Sequence, residues 1–264
     1  MPNAVEFISG QATAPGATIT ALTMNDSDSA TIRQADPTKR NYILSAFAQL
    51  SAPGMFRIRS PRMHDANQGI RLRVPSANLY AQYPLGMPQI VYPTDRLTLE
   101  ITGSAVGGHI EQAGLLVFYE DLGGVAAQLM APADVAKAPF QIMAQEVAIT
   151  AGALGGYSGA AAVNSSFDNW QANRYYALLG GEVDTDVLAV TIRGVDTGNV
   201  RMAFPGNSVN KAETRNWFWH LSNAYGIPLI PKFAANNRAS ITVEVVADQT
   251  APMPVVTLFF VLLP

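Results

Sequence analysis

DRLTLEITG, Asp95–Gly103, alternates without a break: Leu97, Leu99 and Ile101 on one side, Arg96, Thr98 and Glu100 on the other. A period of two belongs to a strand with one face buried. Near the far end of the chain NRASITVEVVA, Asn237–Ala247, repeats the pattern: an arginine after Asp or Asn, then apolar-Thr-apolar-Glu-apolar. Other pieces recur in step with these. RNYIL (Arg40–Leu44) is echoed by RYYAL (Arg174–Leu178), MFRIR (Met55–Arg59) by AVTIR (Ala189–Arg193), and RLRVP (Arg71–Pro75) by RMAFP (Arg201–Pro205). GMPQI (Gly86–Ile90) is echoed by GIPLI (Gly226–Ile230), GLLVFYEDL (Gly114–Leu122) by VVTLFFVLL (Val255–Leu263), and VEFISG (Val5–Gly10) by VAITAG (Val147–Gly152). Strands resemble one another, so one match says little. A shared order at separations of about 130–145 residues points to an internal duplication.

The expected halves are 1–128 and 140–264, joined through the Gly-, Ala- and Pro-rich Gly123–Pro139, with 129–139 as the linker. Strands are expected in the first half near 4–9, 17–23, 41–50, 54–60, 69–74, 88–92, 96–102 and 114–120. In the second they fall near 145–150, 158–163, 173–179, 187–193, 199–204, 215–221, 239–247 and 254–263. A short helix fits at Pro132–Ala138 or in the segment around Ser165–Ala172. Eight strands per half, with turn residues between them, predict an all-β chain of two tandem eight-stranded jelly rolls.

Composition agrees with a β chain rich in core. Of 264 residues, 48% are hydrophobic and only 14% charged, with 21 glycines and 17 prolines to make turns. A net charge of −3 and no basic cluster near the start argue against general nucleic-acid binding. The absence of cysteine removes disulfides, thiolate zinc sites and thiol nucleophiles together. MPNAVEFISG lacks the basic start and apolar run of a signal peptide. The nine-residue run Val255–Leu263 is too short to span a bilayer as a helix and reads as a buried strand.

Catalytic signals are weak. His64, His109 and His220 stand apart, with no His-x-His pair to seat a metal, so a duplicated cupin enzyme is not supported. GYSGA (Gly156–Ala160) misses the nucleophile elbow at Ala160, and the glycines from Gly152 to Gly159 follow no phosphate-loop order. VDTDV (Val183–Val187) reads as a solvated turn, and the sequons at Asn25 and Asn164 as chance. No catalytic residue, cofactor or metal is expected. The richest local feature is RNWFWHLSNAYG (Arg215–Gly226). Read as a strand, it puts Trp217 and Trp219 on one face and Phe218 and His220 on the other. Trp217, Trp219 and His220 are therefore candidate interface residues, buried in the second core or against a neighbouring subunit; stacking on sugar rings is the alternative.

Two tandem jelly rolls in a cysteine-free chain without a catalytic set resemble the double jelly-roll major capsid proteins, the lineage of adenovirus hexon and of tailless, membrane-containing bacteriophages. The likeness lies in the architecture and its duplicated segments and rests on no short motif. It implies a non-enzymatic major coat protein that stands both rolls upright and forms homotrimers of pseudo-hexameric outline in an icosahedral capsid. The implied partners are neighbouring capsomers, minor capsid proteins and an internal membrane, without sequence-specific nucleic-acid binding. The implied location is the virion, assembled in the host cytoplasm. The lack of a basic arm separates the chain from many coats of naked RNA viruses, and no long amphipathic helix suggests the tailed-phage coat fold. A tandem carbohydrate-binding module and a spike or minor virion protein are the alternatives.

Overall fold

The computed structural model describes residues 3–27, 29–75, 80–125, 127–138, 141–150, 154–163, 170–206, 211–247 and 253–264. The first half holds β1 (Ala4–Thr13), β2 (Asn41–Gln49), β3 (Gly54–Arg59), β4 (Ile70–Val74), β5 (Tyr80–Val91), β6 (Arg96–Thr102) and β7 (Ile110–Tyr119). The second holds β8 (Ile142–Ala148), β9 (Tyr175–Val183), β10 (Ala189–Arg193), β11 (Met202–Pro205), β12 (Ile230–Ala234), β13 (Thr242–Val246) and β14 (Val255–Leu262). Short pieces at Thr20–Ala21, Thr23–Met24, Ala30–Thr31, Leu129–Met130 and Ala161–Ala162 complete them.

Among the described residues the pairing is all antiparallel and makes four sheets. In the first half, sheet A runs β1-β7-β2-β5, and sheet B runs Thr20–Ala21, β6, β3, β4. In the second, sheet C runs β8-β14-β9-β12, and sheet D runs Ala161–Ala162, β13, β10, β11. Numbering eight strands along each half gives the orders 1-8-3-6 and 2-7-4-5 both times. That is the jelly roll, made twice.

The opening stretch sits where its alternation demands. Leu97, Leu99 and Ile101 of β6 are buried in the first core, while Glu100 pairs across the ladder with Arg57 of β3. In the second half Glu244 stands opposite Thr191 of β10 in the same register, so Glu100 and Glu244 are equivalent positions. Not every echo keeps its register in the ladders. The ladders Arg57↔Arg71 and Thr191↔Ala203 equate Arg71 with Ala203, not with Arg201. The first strand of the second half is Ile142–Ala148, and the Val147–Gly152 echo overlaps only its last two residues.

One expected strand is a helix. The 215–221 segment belongs to α2 (Lys211–Arg215) and α3 (Trp217–Tyr225) once α1 (Pro132–Val135) is counted as the first helix, and the sixth strand is β12. Trp217, Phe218 and Leu221 are buried together because they share one helical face, and Gly226 ends the helix at φ 66° with its N–H on the Ser222 carbonyl. The linker segment is built into the second half. Leu129–Met130 pairs with β12, and Val135 of α1 is fully buried.

Sheet A is covered on both faces, which explains why all ten residues of β7 are buried, Glu111 and Gln112 among them. Leu115, Val117 and Tyr119 enter the core shared with sheet B. Leu116 and Phe118, with Val5, Phe7, Leu44 and Phe47, enter a second core that is continuous with the interior of the second half. Each such side chain contributes about 1.5–3 kcal/mol on full burial, so the halves are held as one body.

Candidate functional site

The features that stand out are contact surfaces: one between the halves and two on the outside. Odd residues of β1 point at the second half, because alternation sends Val5, Phe7, Ser9 and Gln11 to the same face. The Phe7 N–H donates to the Arg201 carbonyl at 2.7 Å, and the Ser9 hydroxyl donates to the Tyr157 oxygen at 3.3 Å. Asp26, in the loop beside β1, takes the Arg201 guanidinium at 2.5 Å and the Tyr157 hydroxyl at 2.8 Å. Arg201 also lies over the Tyr157 ring, 4.1 Å from its centroid, and donates to Glu244 at 2.7 Å. Burial and the Asp26 charge push the Tyr157 hydroxyl well above its ordinary pKa, which keeps it a donor.

Glu100 and Glu244 do similar work in the two halves. Each is nearly buried on the outward face of its sheet under two arginines: Arg57 and Arg59 cover Glu100, and Arg193 and Arg201 cover Glu244. Burial raises the Glu100 pKa, but hydrogen bonds from Arg59 and Arg57 and their charges outweigh it and hold the group below the usual carboxylate value. Arg59 and Arg193 are equivalent residues, so this ion pair is part of the duplicated unit.

The aromatic segment divides. Trp217 is buried and sets its ring 5.8 Å from Phe47 of β2, which in turn stacks at 5.4 Å on Phe7. Trp219 is half-buried and His220 is exposed, because a helix sends neighbours to different faces where a strand would have aligned alternate ones. The Tyr225 hydroxyl, pushed up to about 12 by burial, donates to the Leu44 carbonyl at 2.5 Å. Trp217 and Tyr225 thus carry α3 onto sheet A, inside one chain. Arg201, Asp26 and Tyr157, central to the same contact, were not singled out by sequence; Asp26 and Arg201 are 175 residues apart.

The weak motifs stay ordinary. Ser158 is buried and binds backbone, accepting from the Val245 N–H and donating to the Gly159 carbonyl. Asp184 accepts from Thr185 and from the Val255 N–H, and no group of three metal-ligating side chains occurs among the described residues. Asn25 donates to Ser9 in a half-buried turn; the Asn164 sequon and most of the Ser165–Ala172 segment lie outside the described residues. No helix of the described residues is long and apolar enough to cross a membrane.

No protein-family model and no curated protein matches the chain. Among solved structures, the PBSX exported protein XepA aligns at 9% identity over 98% of this chain and 86% of its own, with a TM-score of 0.28. The structure of Sulfolobus Turreted Icosahedral Virus aligns at 9% identity over 100% and 91%, with a TM-score of 0.22. The stem and receptor-binding domain of the spike protein P1 from bacteriophage PM2 aligns at 9% identity over 98% and 79%, with a TM-score of 0.14. Superpositions this loose establish neither a shared fold nor a shared role.

Proposed function

We propose that the chain is a structural protein of a virion, the major coat subunit of an icosahedral shell, and that it acts without catalysis. The observation that carries this is the doubling: one strand order, 1-8-3-6 and 2-7-4-5, occurs twice in a chain whose halves share a continuous core. A rigid pair of like units lets three chains place six similar rolls around one axis, an outline that tiles a closed surface. The carbohydrate-binding alternative depended on a paired tryptophan face, and Trp217 is instead covered by Phe47. A spike or minor virion protein would share the fold but would not form shells by itself.

Light scattering of the purified chain over a range of concentrations tests the proposal. The expected species is three times the 28.2 kDa chain mass, growing into sheets or shells as concentration rises. A monomer at every concentration would overturn it.

A further inference from the structure

We infer that the arginine-bearing outer face of sheet B is a docking surface for a second copy of this chain, which lays on it the outer face of sheet C along β8 and β14. The inference rests on the coat proposal for the number of copies that close, and on the following comparison for the surfaces themselves.

The two halves have the same strand order but different outer faces. On sheet D, Thr191 and Ala203 face outward and are buried, because β1 of the first half packs against β11 there. Their equivalents on sheet B are Arg57 and Arg71, and Arg73 stands where sheet D has Pro205. Arg71, Arg73 and Arg96 are exposed, and Arg57 and Arg59 lie half-covered beside them. Among the described residues this face carries five arginines and one carboxylate, Glu100. Arg57 and Arg71 are direct cross-strand neighbours; Glu100 neutralises Arg57, and Arg71 donates to Gln68. An open cleft of about 620 Å³ runs along Ile19, Met55, Arg71 and Arg73 at its edge.

Sheets A and C differ in the complementary way. The outward residues of β1 are buried by the second half, whereas Ile142, Ala144, Glu146 and Ala148 of β8 are exposed, flanked by Met253 and Val255. Ile142 is 60% and Met253 76% exposed, and with Val255 they make this strand end an open apolar face. Helices α2 and α3 cover sheet C over β9 and β12, and Arg215, which binds Glu182, reaches Phe259 of β14, so that β8 and the Val255 end of β14 stay open.

Each chain therefore holds one joined pair of faces, A against D, and one open pair, C and B. The joined pair sets an apolar β1 with a neighbouring carboxylate, Asp26, against an arginine that adjoins sheet D, Arg201. The open pair repeats that polarity, with an apolar β8 bearing Glu146 and an arginine face on B. A C-on-B contact between chains reproduces the A-on-D contact within one. Such a head-to-tail contact is heterologous and closes into a ring when its rotation allows.

Three variants of the full chain test it. Arg71 and Arg73 are exposed, so the double reversal Arg71→Glu with Arg73→Glu leaves the fold intact by circular dichroism. It raises the concentration needed for trimers roughly tenfold or more, and adding Glu146→Lys recovers assembly. In the cysteine-free background, Arg73→Cys with Glu146→Cys and a short bismaleimide gives a covalent ladder ending at three chains. If wild type forms trimers but the reversed variant forms them equally well, or the cysteines join no chains, the inference fails while the coat proposal stands. If wild type is monomeric at all concentrations, the coat proposal fails too. If the reversal spares the trimer but abolishes binding to phosphatidylglycerol vesicles, the face meets a membrane and the inference is overturned.

Discussion

Gly114 has no side chain because Phe7 occupies its place: a Cβ there would stand 2.5 Å from the Phe7 ring. Phe7 is also the first ring of the cluster that runs through Phe47 to Trp217, so the glycine acts on the join between halves. Gly114→Val is expected to cost about 1–3 kcal/mol by overpacking, read as a drop in the denaturant midpoint; an unchanged midpoint would show that Phe7 is free to move. Glu100 supplies the second residue-scale prediction. Its folded pKa is depressed, so its contribution is present above the unfolded carboxylate value and lost as pH falls through the folded one. Wild type should therefore lose stability on acidification below about pH 4 more steeply than Glu100→Gln, which should itself be weaker by ~2 kcal/mol at pH 7 because it leaves Arg57 without its charge partner. Parallel acid-unfolding curves of the two proteins would refute this.

At the scale of elements, strands with one wet face were legible, and dense aromatic runs were not. β6 and β13 announced themselves because Leu-Thr-Leu and Ile-Thr-Val alternate against solvent or an ion pair on one side. Within the Arg215–Gly226 segment four of the five residues from Trp217 to Leu221 are apolar, so a period of two and a period of 3.6 fit this short run equally, and its aromatic content favours a strand. What decided for a helix is tertiary: a buried Gly180 whose missing Cβ would meet the Thr214 carbonyl at 2.1 Å, leaving backbone-close room for α2 and α3 on β9. Two signals were available, the C-terminal Gly226 and the absence of β-branched residues between Trp217 and Tyr225. Trp217→Ala should cost about 3–5 kcal/mol, more than Trp219→Ala at its half-buried site, as compared by thermal melts. Equal losses would place the two rings in like surroundings, which a strand face predicts and this helix does not.

At the scale of the whole molecule, the duplication was readable from ordered echoes, but the way its two products meet was not. The Asp26–Arg201 pair, the Ser9–Tyr157 hydrogen bond and the Trp217–Phe47 contact each join residues more than a hundred positions apart, and no local pattern encodes them. Their consequence is a prediction about cooperativity. Independent rolls would each keep a closed core and could melt in turn, as separate domains do. Here Val5, Phe7, Leu44, Phe47, Leu116 and Phe118 belong to the first half by sequence and to the second half's core by packing. Losing the second roll would expose one whole face of sheet A to water, at about 25 cal/mol for each Å² of apolar surface. Unfolding of the first half should therefore follow at once. Trp170 and Trp219 report on the second half and Trp217 on its join with Phe47, while far-ultraviolet dichroism reports on both halves. The two signals are expected to share one midpoint on denaturant titration, and Arg201→Ala, which cuts the polar tie to Asp26, should lower both together. A tryptophan transition that precedes the dichroism change would mean that the first roll stands alone, and that the continuous core is an association of two independent domains.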